Sequence, residues 1–391
     1  MPLQWTQYSG KWNLPTVMQA EGAGNWPDPP LGASGELWIW GSNVYGELGL
    51  GNTTSYSSPV QVGALTDWYQ SASGMTSGFG ITDVGALYAW GNNNYGQLAL
   101  GDVASRSSPV QVGSLSDWLL VAPGGYHSVA VKQGGTIWCW GAGWEGALGQ
   151  GNTTAYSSPV QVGALTTWLQ AAAGMYFTAA IKTDGTLWAW GRNTVGQLGD
   201  GTTTVRSSPV QIGALTTWDT VYCRAFFTMA LKTDGTIWAW GENDTGQLGQ
   251  GNTTDYSSPV QVGGLTTWAS IGPGSETDAA NSMWSMAIKT DGTLWAWGKN
   301  ANGQLGNGNT TNYSSPIQIG ALTTWIQVLG GRKSSYARKT DGTIWAWGNG
   351  GDGQLGTGST ANTSSPNQVG ALTTWKTLAT TCWGLTQNGL K

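Results

Sequence analysis

The 391-residue chain predicts an all-β fold, a seven-bladed β-propeller closed by pairing of its N- and C-terminal strands. Three observations predict it. One unit is written seven times at a nearly constant period, each copy carries strand-and-turn patterning, and a partial copy stands at each end.

The period decides the architecture, because self-similarity at fixed spacing is the mark of a repeat fold. A Trp-x-Trp-Gly step sets its second Trp at Trp40, Trp90, Trp140, Trp190, Trp240, Trp297 and Trp347, with Tyr88 replacing the first Trp in one copy. Ser-Ser-Pro keeps step at Pro59, Pro109, Pro159, Pro209, Pro259, Pro316 and Pro366. A third marker is the Trp at Trp68, Trp118, Trp168, Trp218, Trp268, Trp325 and Trp375. Intervals are 50 residues, except one of 57 whose extra seven residues fall around "GPGSETDAAN", Gly272 to Asn281.

Within the copy that starts at Trp168, "WLQAAAG" reads as a strand that turns at "AGM". Two short runs between Ala179 and Trp190 then flank Thr-Asp-Gly-Thr. Asp-Gly between such runs signals a tight hairpin, since glycine takes positive φ without strain. Alternation in "TLWAWG" puts Trp188 and Trp190 on one face and Ala189 on the other. "GRNTVGQLGDG" breaks regular structure, and "SSPVQIG" supplies a further short strand with Pro209 at its start, where a missing N–H is harmless. No segment has a helical apolar stripe.

The ends argue for closure. After Trp375 the last copy stops where its Trp-x-Trp strand is due, while the first begins with that strand in "ASGELWIWG". Each end supplies what the other lacks, and a hairpin signal at Asn388-Gly389 in the tail points to the missing partner. An open solenoid would need terminal caps instead.

Composition sets further bounds. With 62 Gly and 9% charged residues the chain would be a weak folder, but 26 Trp argue for a packed body, and twenty of them sit at the repeat markers. A net charge of −5 with 16 basic residues speaks against a nucleic-acid surface. No apolar run is long enough to span a membrane, and "MPLQWTQYSGKW" lacks the pattern of a standard secretory leader. Cys139, Cys223 and Cys382 are odd in number and widely spaced, which suits apolar fillers rather than a disulfide framework or zinc site. No cofactor or metal is expected.

"GGYHSVAVKQGGTIWCWGAGWEGALGQG" and "AIKTDGTLWAWGRNTVGQLGDG" resemble repeats of the RCC1 (regulator of chromosome condensation) family, which join a Gly-x-x-His turn, a D-G hairpin, W-G and G-Q-L-G. The resemblance covers residues 35–391 and implies a seven-bladed propeller. Relatives include a nuclear GTPase exchange factor, bacterial inhibitors of β-lactamase and binding modules. The nuclear exchange factor carries a basic tail, whereas residues 1–34 here have Lys11 against Glu21 and Asp28. An exchange-factor-like regulator is therefore kept as an alternative.

Strand direction sorts the loops onto two faces. Asp-Gly hairpins and "ALTTW" crossings share one, nearly uniform, face. The other carries the divergent loops "SNVYG", "NNNYG", "AGWEG", "RNTVG", "ENDTG", "KNANG" and "NGGDG", and the insertion, expected to be exposed there. Tyr45, Tyr95, Trp144, Tyr176, Phe177, Arg192, Phe227 and Trp284 are candidate binding residues of that varied face, since aromatic and Arg side chains commonly anchor partners. Residues 1–34 form an arm outside the repeats, with Trp5, Trp12 and Trp26, that either packs on the ring or docks it to a larger assembly. Its composition resembles virion surface or tail-fibre components, so a virion or extracellular surface is the expected setting.

The leading reading is a non-catalytic module with a protein or glycan partner. Its rival is a carboxylate-based glycan hydrolase or lyase using acidic residues among Glu145, Asp200, Glu242, Asp244, Asp255, Glu276 and Asp278. "GAGWEG" matches a phosphate-loop pattern in letters alone, because no helix follows it. His127, the one histidine, reads as a structural turn residue.

Overall fold

The computed structural model describes residues 34–275, 282–379 and 386–391. Their strands assemble into seven antiparallel sheets, six of four strands and one of five. In the third blade the strands are Trp168–Ala173, Phe177–Lys182, Leu187–Gly191 and Arg206–Gln211, hydrogen-bonded in chain order. First strands stand innermost: Tyr69, Leu119, Leu169, Thr220 and Leu378, from five blades, wall a central cavity of about 560 Å³.

The Asp-Gly hairpin forms as its chemistry requires. Asp184 Oδ1 accepts hydrogen bonds from the Thr186 N–H (2.9 Å) and hydroxyl (2.6 Å), and Gly185 sits at φ 77°. A side chain at Gly185 would also collide with the Thr216 carbonyl of the approaching crossing. The Gly185 carbonyl accepts from Trp218 N–H (3.2 Å), so each hairpin ties its blade to the next.

Hydrophobic residues do not gather at one centre. They form seven clusters, one at each blade boundary. Leu187 and Ala189, on one face of the third blade, pack against Trp218 and Trp240 of the fourth. The opposite face presents Trp168 and Trp190 to Ile137 and Cys139 of the second. The alternation in "LWAWG" thus makes each blade small on one side and aromatic on the other. A buried Trp removes roughly 150–250 Å² from water, several kcal/mol at ~25 cal/mol/Å².

A buried indole N–H also needs an acceptor. Trp190 Nε1 donates to the Ala147 carbonyl (2.9 Å), Trp140 to Gln97 (2.8 Å) and Trp347 to Gln304 (2.9 Å). Each acceptor lies in the preceding blade's loop. Phenylalanine would fill the same space without making this staple.

The seventh blade is shared between the termini. Its order is Tyr56–Gln61, Leu37–Gly41, Thr386–Leu390, Thr377–Leu378. Leu37 faces Leu390 and Gly41 faces Thr386. Closure is as the sequence implies, but Asn388-Gly389 is no turn. Both residues lie within the strand, opposite Ile39 and Trp38, because two chain ends replace the hairpin. Gly35 takes the hairpin glycine's part, its carbonyl accepting from Trp68 N–H (3.1 Å).

Two further expectations are corrected. Pro209 lies fourth in a six-residue outer strand, at the register shift between Ala189 and Gly191, where an edge position and a bulge dispense with its N–H. Gly272–Ser275 of the insertion is buried rather than exposed. Gly274–Ser275 adds a short strand beside Met283 and Trp284, and Ser275 N–H reaches the Gly331 carbonyl (3.3 Å) of the sixth blade. Residues 276–281 lie outside the described part. Cys139 and Cys223 are buried and free, and burial pushes the Cys223 thiol up to about 12. Cys382 is also outside the described residues.

Candidate functional site

The varied face is built from two kinds of connection. One is the turn from the first to the second strand, and the other is the loop from the third to the outer strand.

Alternation at the turn sorts neighbouring aromatics. In Tyr126-His127, Tyr176-Phe177 and Phe226-Phe227 the second residue opens the blade's second strand and is fully buried. The first residue of each pair lies at the turn, Tyr126 and Tyr176 half-buried and Phe226 buried with only a small part of its surface exposed. Tyr126 and Phe226 were not among the sequence candidates. The period of two at the strand start is the signal that finds them.

The outer loops diverge around an asparagine anchor shared by five blades. Asn193, fully buried, donates from Nδ2 to the carbonyls of Thr202 (3.0 Å) and Thr204 (3.1 Å), and its Oδ1 accepts from Leu198 N–H (3.0 Å). Asn43, Asn93, Asn243 and Asn300 repeat the Leu-directed bond. The second blade has Gly143 here, followed by a tight turn at Trp144–Gly146 with Glu145 at φ 57°. Val44, Asn94, Thr194 and Asp244, which follow the anchor, are exposed, whereas Ser42, Asn92 and Glu242 before it are buried.

The loop residues Tyr95, Trp144 and Arg192 meet the turn aromatics in one ridge crossing four blades. Tyr95 contacts Tyr126 (5.6 Å between centroids) and Trp144 (4.8 Å), both edge-on. Tyr126 stacks on Tyr176 at 5.5 Å with 12° between planes, and Trp144 leans on both, 5.4 Å from Tyr126 and 6.0 Å from Tyr176. The Arg192 guanidinium then lies 5.6 Å from Tyr176 and 4.9 Å from Phe226. Tyr95 and Trp144 keep 39% and 40% of their surface exposed, so the ridge is packed yet open to solvent. Edge-on and offset pairs suit the ring quadrupoles and hold the surface stiff.

Of the sequence candidates, the structure joins Tyr95, Trp144, Tyr176 and Arg192. Tyr45 is exposed on the corresponding loop of the seventh blade. Phe177, Phe227 and Trp284 are corrected: all three are fully buried between blades and present no surface to a partner. Trp5, Trp12 and Trp26 lie outside the described residues.

His127 is also structural. Its Nε2 lies 2.9 Å from Thr178 Oγ1, whose hydroxyl donates to the Ala147 carbonyl (2.9 Å), so Nε2 carries the proton. Burial lowers its pKa to about 4. Of the acidic candidates, Asp200 binds Arg206 (2.9 Å), Asn193 (3.0 Å) and Thr202 (2.7 Å). Burial raises the Asp200 carboxyl, and these hydrogen bonds hold it below its ordinary value overall. Asp255 accepts from the Asn243 N–H (2.8 Å), and burial raises its carboxyl. Among the described residues, no three His, Cys, Asp or Glu side chains group as a metal site, and no helix is long and apolar enough to cross a membrane.

Seven blades, six of them with the indole staple and five with the asparagine loop anchor, define a repeat β-propeller. The chain belongs to the RCC1 repeat family: the RCC1-like domain profile matches residues 121–385, and the RCC1 repeat profile matches 34–79 and 84–131. No curated protein sequence matches the chain. Human WBSCR16 superposes with a TM-score of 0.79 at 18% identity, over 91% of this chain and 98% of that one. Saccharomyces cerevisiae Prp20p, whose structure is described with its binding to Gsp1p and histones, gives 0.79 at 19% identity, over 92% of each chain. Yeast RCC1 (Prp20) bound by Kap60 gives 0.79 at 20% identity, over 92% and 89%. At these identities the likeness is one of fold.

Proposed function

We propose that the protein is a non-catalytic binding module that holds a protein partner on the ridge from Tyr95 to Phe226. The carrying observation is the packed, solvent-open run of aromatic residues ending in Arg192, on the face where the copies diverge. Rigid aromatic side chains lose little entropy when covered, and Trp, Tyr and Arg dominate the energetics of interfaces. Prp20 bound by Kap60, in the same fold, supports a protein as partner. The structural bonds of Asp200 and Asp255 favour scaffold over hydrolase. A glycan is the second reading, favoured by the exposed Trp144 ring. The aromatic arm, as tether to a larger assembly such as a virion or cell surface, belongs to the same proposal.

The test is capture of partners from the native source on the immobilised full chain, with the Tyr95→Ala/Trp144→Ala variant and a glycan array in parallel. Proteins retained by the native chain and lost with the variant are the expected result. Retention that ignores the variant would overturn the proposal, and binding confined to the array would replace it with the glycan reading.

A further inference from the structure

Arg192 differs from the arginines nearest it in pattern. Arg106 pairs with Asp102 (2.6 Å) and Arg206 with Asp200 (2.9 Å), each within its own loop. Among the described residues Arg192 has no such carboxylate. Its Nε donates to Thr194 Oγ1 (3.0 Å), and its backbone N–H donates to the Tyr176 carbonyl (2.9 Å). The guanidinium carbon is braced by Tyr176 and Phe226. The Nη edge, four N–H donors in one plane, is left for a ligand.

Bracing matters here. A mobile surface Arg loses side-chain entropy when it binds an acid, which keeps exposed ion pairs weak. Arg192 is already oriented, and the apolar rings on either side lower the local dielectric. A planar fork of donors matches the two oxygens of a carboxylate.

We propose that the ridge recognises an acidic polypeptide segment, with Arg192 binding an Asp or Glu carboxylate and Trp144 covering a neighbouring apolar side chain. This rests on the ridge being the partner site. Trp144 and Arg192 flank Tyr176 at 6.0 and 5.6 Å. They therefore stand no more than about 12 Å apart, within the reach of about three residues of extended chain at ~3.3 Å each. The segment carries its acidic and apolar residues at that separation.

The experiment pans a displayed random dodecapeptide library on the full chain. Binding of the recovered peptides is then measured by fluorescence anisotropy to native protein and to Arg192→Ala, Arg192→Lys, Arg192→Glu and Trp144→Ala. Recovered peptides are expected to carry Asp or Glu near an aromatic or aliphatic residue. Arg192→Ala should weaken them about tenfold, as for a charge-assisted pair. Lys should restore little, and Glu should bind better to peptides whose acid is changed to Lys. Circular dichroism melting checks that every variant keeps its fold. Peptides that lose binding with Trp144→Ala but not with Arg192→Ala would overturn the acidic assignment and leave the ridge standing. Peptides indifferent to both variants, or no enrichment at all, would overturn the inference and count against the ridge itself.

Discussion

Trp284 Nε1 donates to Ser335 Oγ across a blade boundary at 2.9 Å, and Ser335 passes the bond on to the Gln304 carbonyl at 2.7 Å. His127, Thr178 and Ala147 make the same relay three boundaries away in the ring. A tryptophan and a histidine occupy equivalent places because each offers an N–H at a similar reach from the backbone. The relay explains why Trp284 is buried although its position in the sequence is a turn beside the insertion.

Trp284 and Trp144 should therefore respond in opposite ways to the same change. Trp284→Ala opens a cavity between two blades and removes the donor to Ser335, costing about 3–5 kcal/mol. Trp144→Ala removes a 40% exposed ring and should shift stability by at most about 1 kcal/mol. Thermal melting of the two variants side by side checks this. Equal losses would contradict the packing.

The closing strand can be probed through one residue. Asn388 is fully buried; its Nδ2 donates to Ser73 Oγ (3.0 Å) and its Oδ1 accepts from Ser71 Oγ (3.0 Å), joining the C-terminal strand to the first blade. Asn388→Ala should cost about 1–3 kcal/mol and lower the melting temperature. Deleting residues 386–391 should lower it further, since Leu37–Gly41 then loses its inner partner. An unchanged melt after the deletion would mean that closure adds nothing.

Ala99 stands where the other copies have glycine, and its φ is 63°. The matching glycines have little room for a methyl: a Cβ at Gly149 or Gly199 would lie 2.8 or 2.6 Å from the indole of Trp190 or Trp240. A left-handed alanine costs about 1–2 kcal/mol, against the greater chain entropy lost on ordering glycine. Ala99→Gly should stabilise by about 1 kcal/mol, read from a denaturant midpoint at unchanged slope. A destabilised variant would show that the methyl packs better than its backbone strain suggests.

Protonation of His127 should make acid stability depend on one side chain. Its folded pKa of about 4 lies below the ordinary 6.5, so the unfolded chain takes the proton first as pH falls. Its stabilisation is complete above about pH 6.5, shrinks as pH falls, and is lost near pH 4. The limit for a shift of this size is about 3 kcal/mol. His127→Phe, the residue found in the same place as Phe177 and Phe227, removes the titration. The native chain should lose more stability than this variant between pH 7 and pH 4.5. Parallel losses would place the acid sensitivity elsewhere.

The ring, its blade number and its closure are determined by the sequence alone. The reason is physical: Trp190 and its six equivalents recur at one spacing, and each Asp-Gly turn and Trp-x-Trp alternation acts over a few residues, where local chemistry decides. The uniform and varied faces follow from strand direction. Tertiary structure decides which aromatic residue of a turn is available. Tyr176 and Phe177 are neighbours in the chain, but inter-blade packing takes Phe177 and leaves Tyr176 on the ridge. It also decides that Gly272–Ser275, irregular in letters, is buried as a strand edge, and that Asn388-Gly389 extends rather than turns. In each case the outcome depends on a partner far away in the chain, as at Ser335 for Trp284, Gly331 for Ser275 and Ile39 for Asn388. A signal of period two or a dipeptide preference carries no information about what stands opposite. The ridge itself is of this kind: Tyr95, Tyr126, Trp144, Tyr176, Arg192 and Phe226 span four consecutive blades, and the packing of each blade on the next brings them side by side.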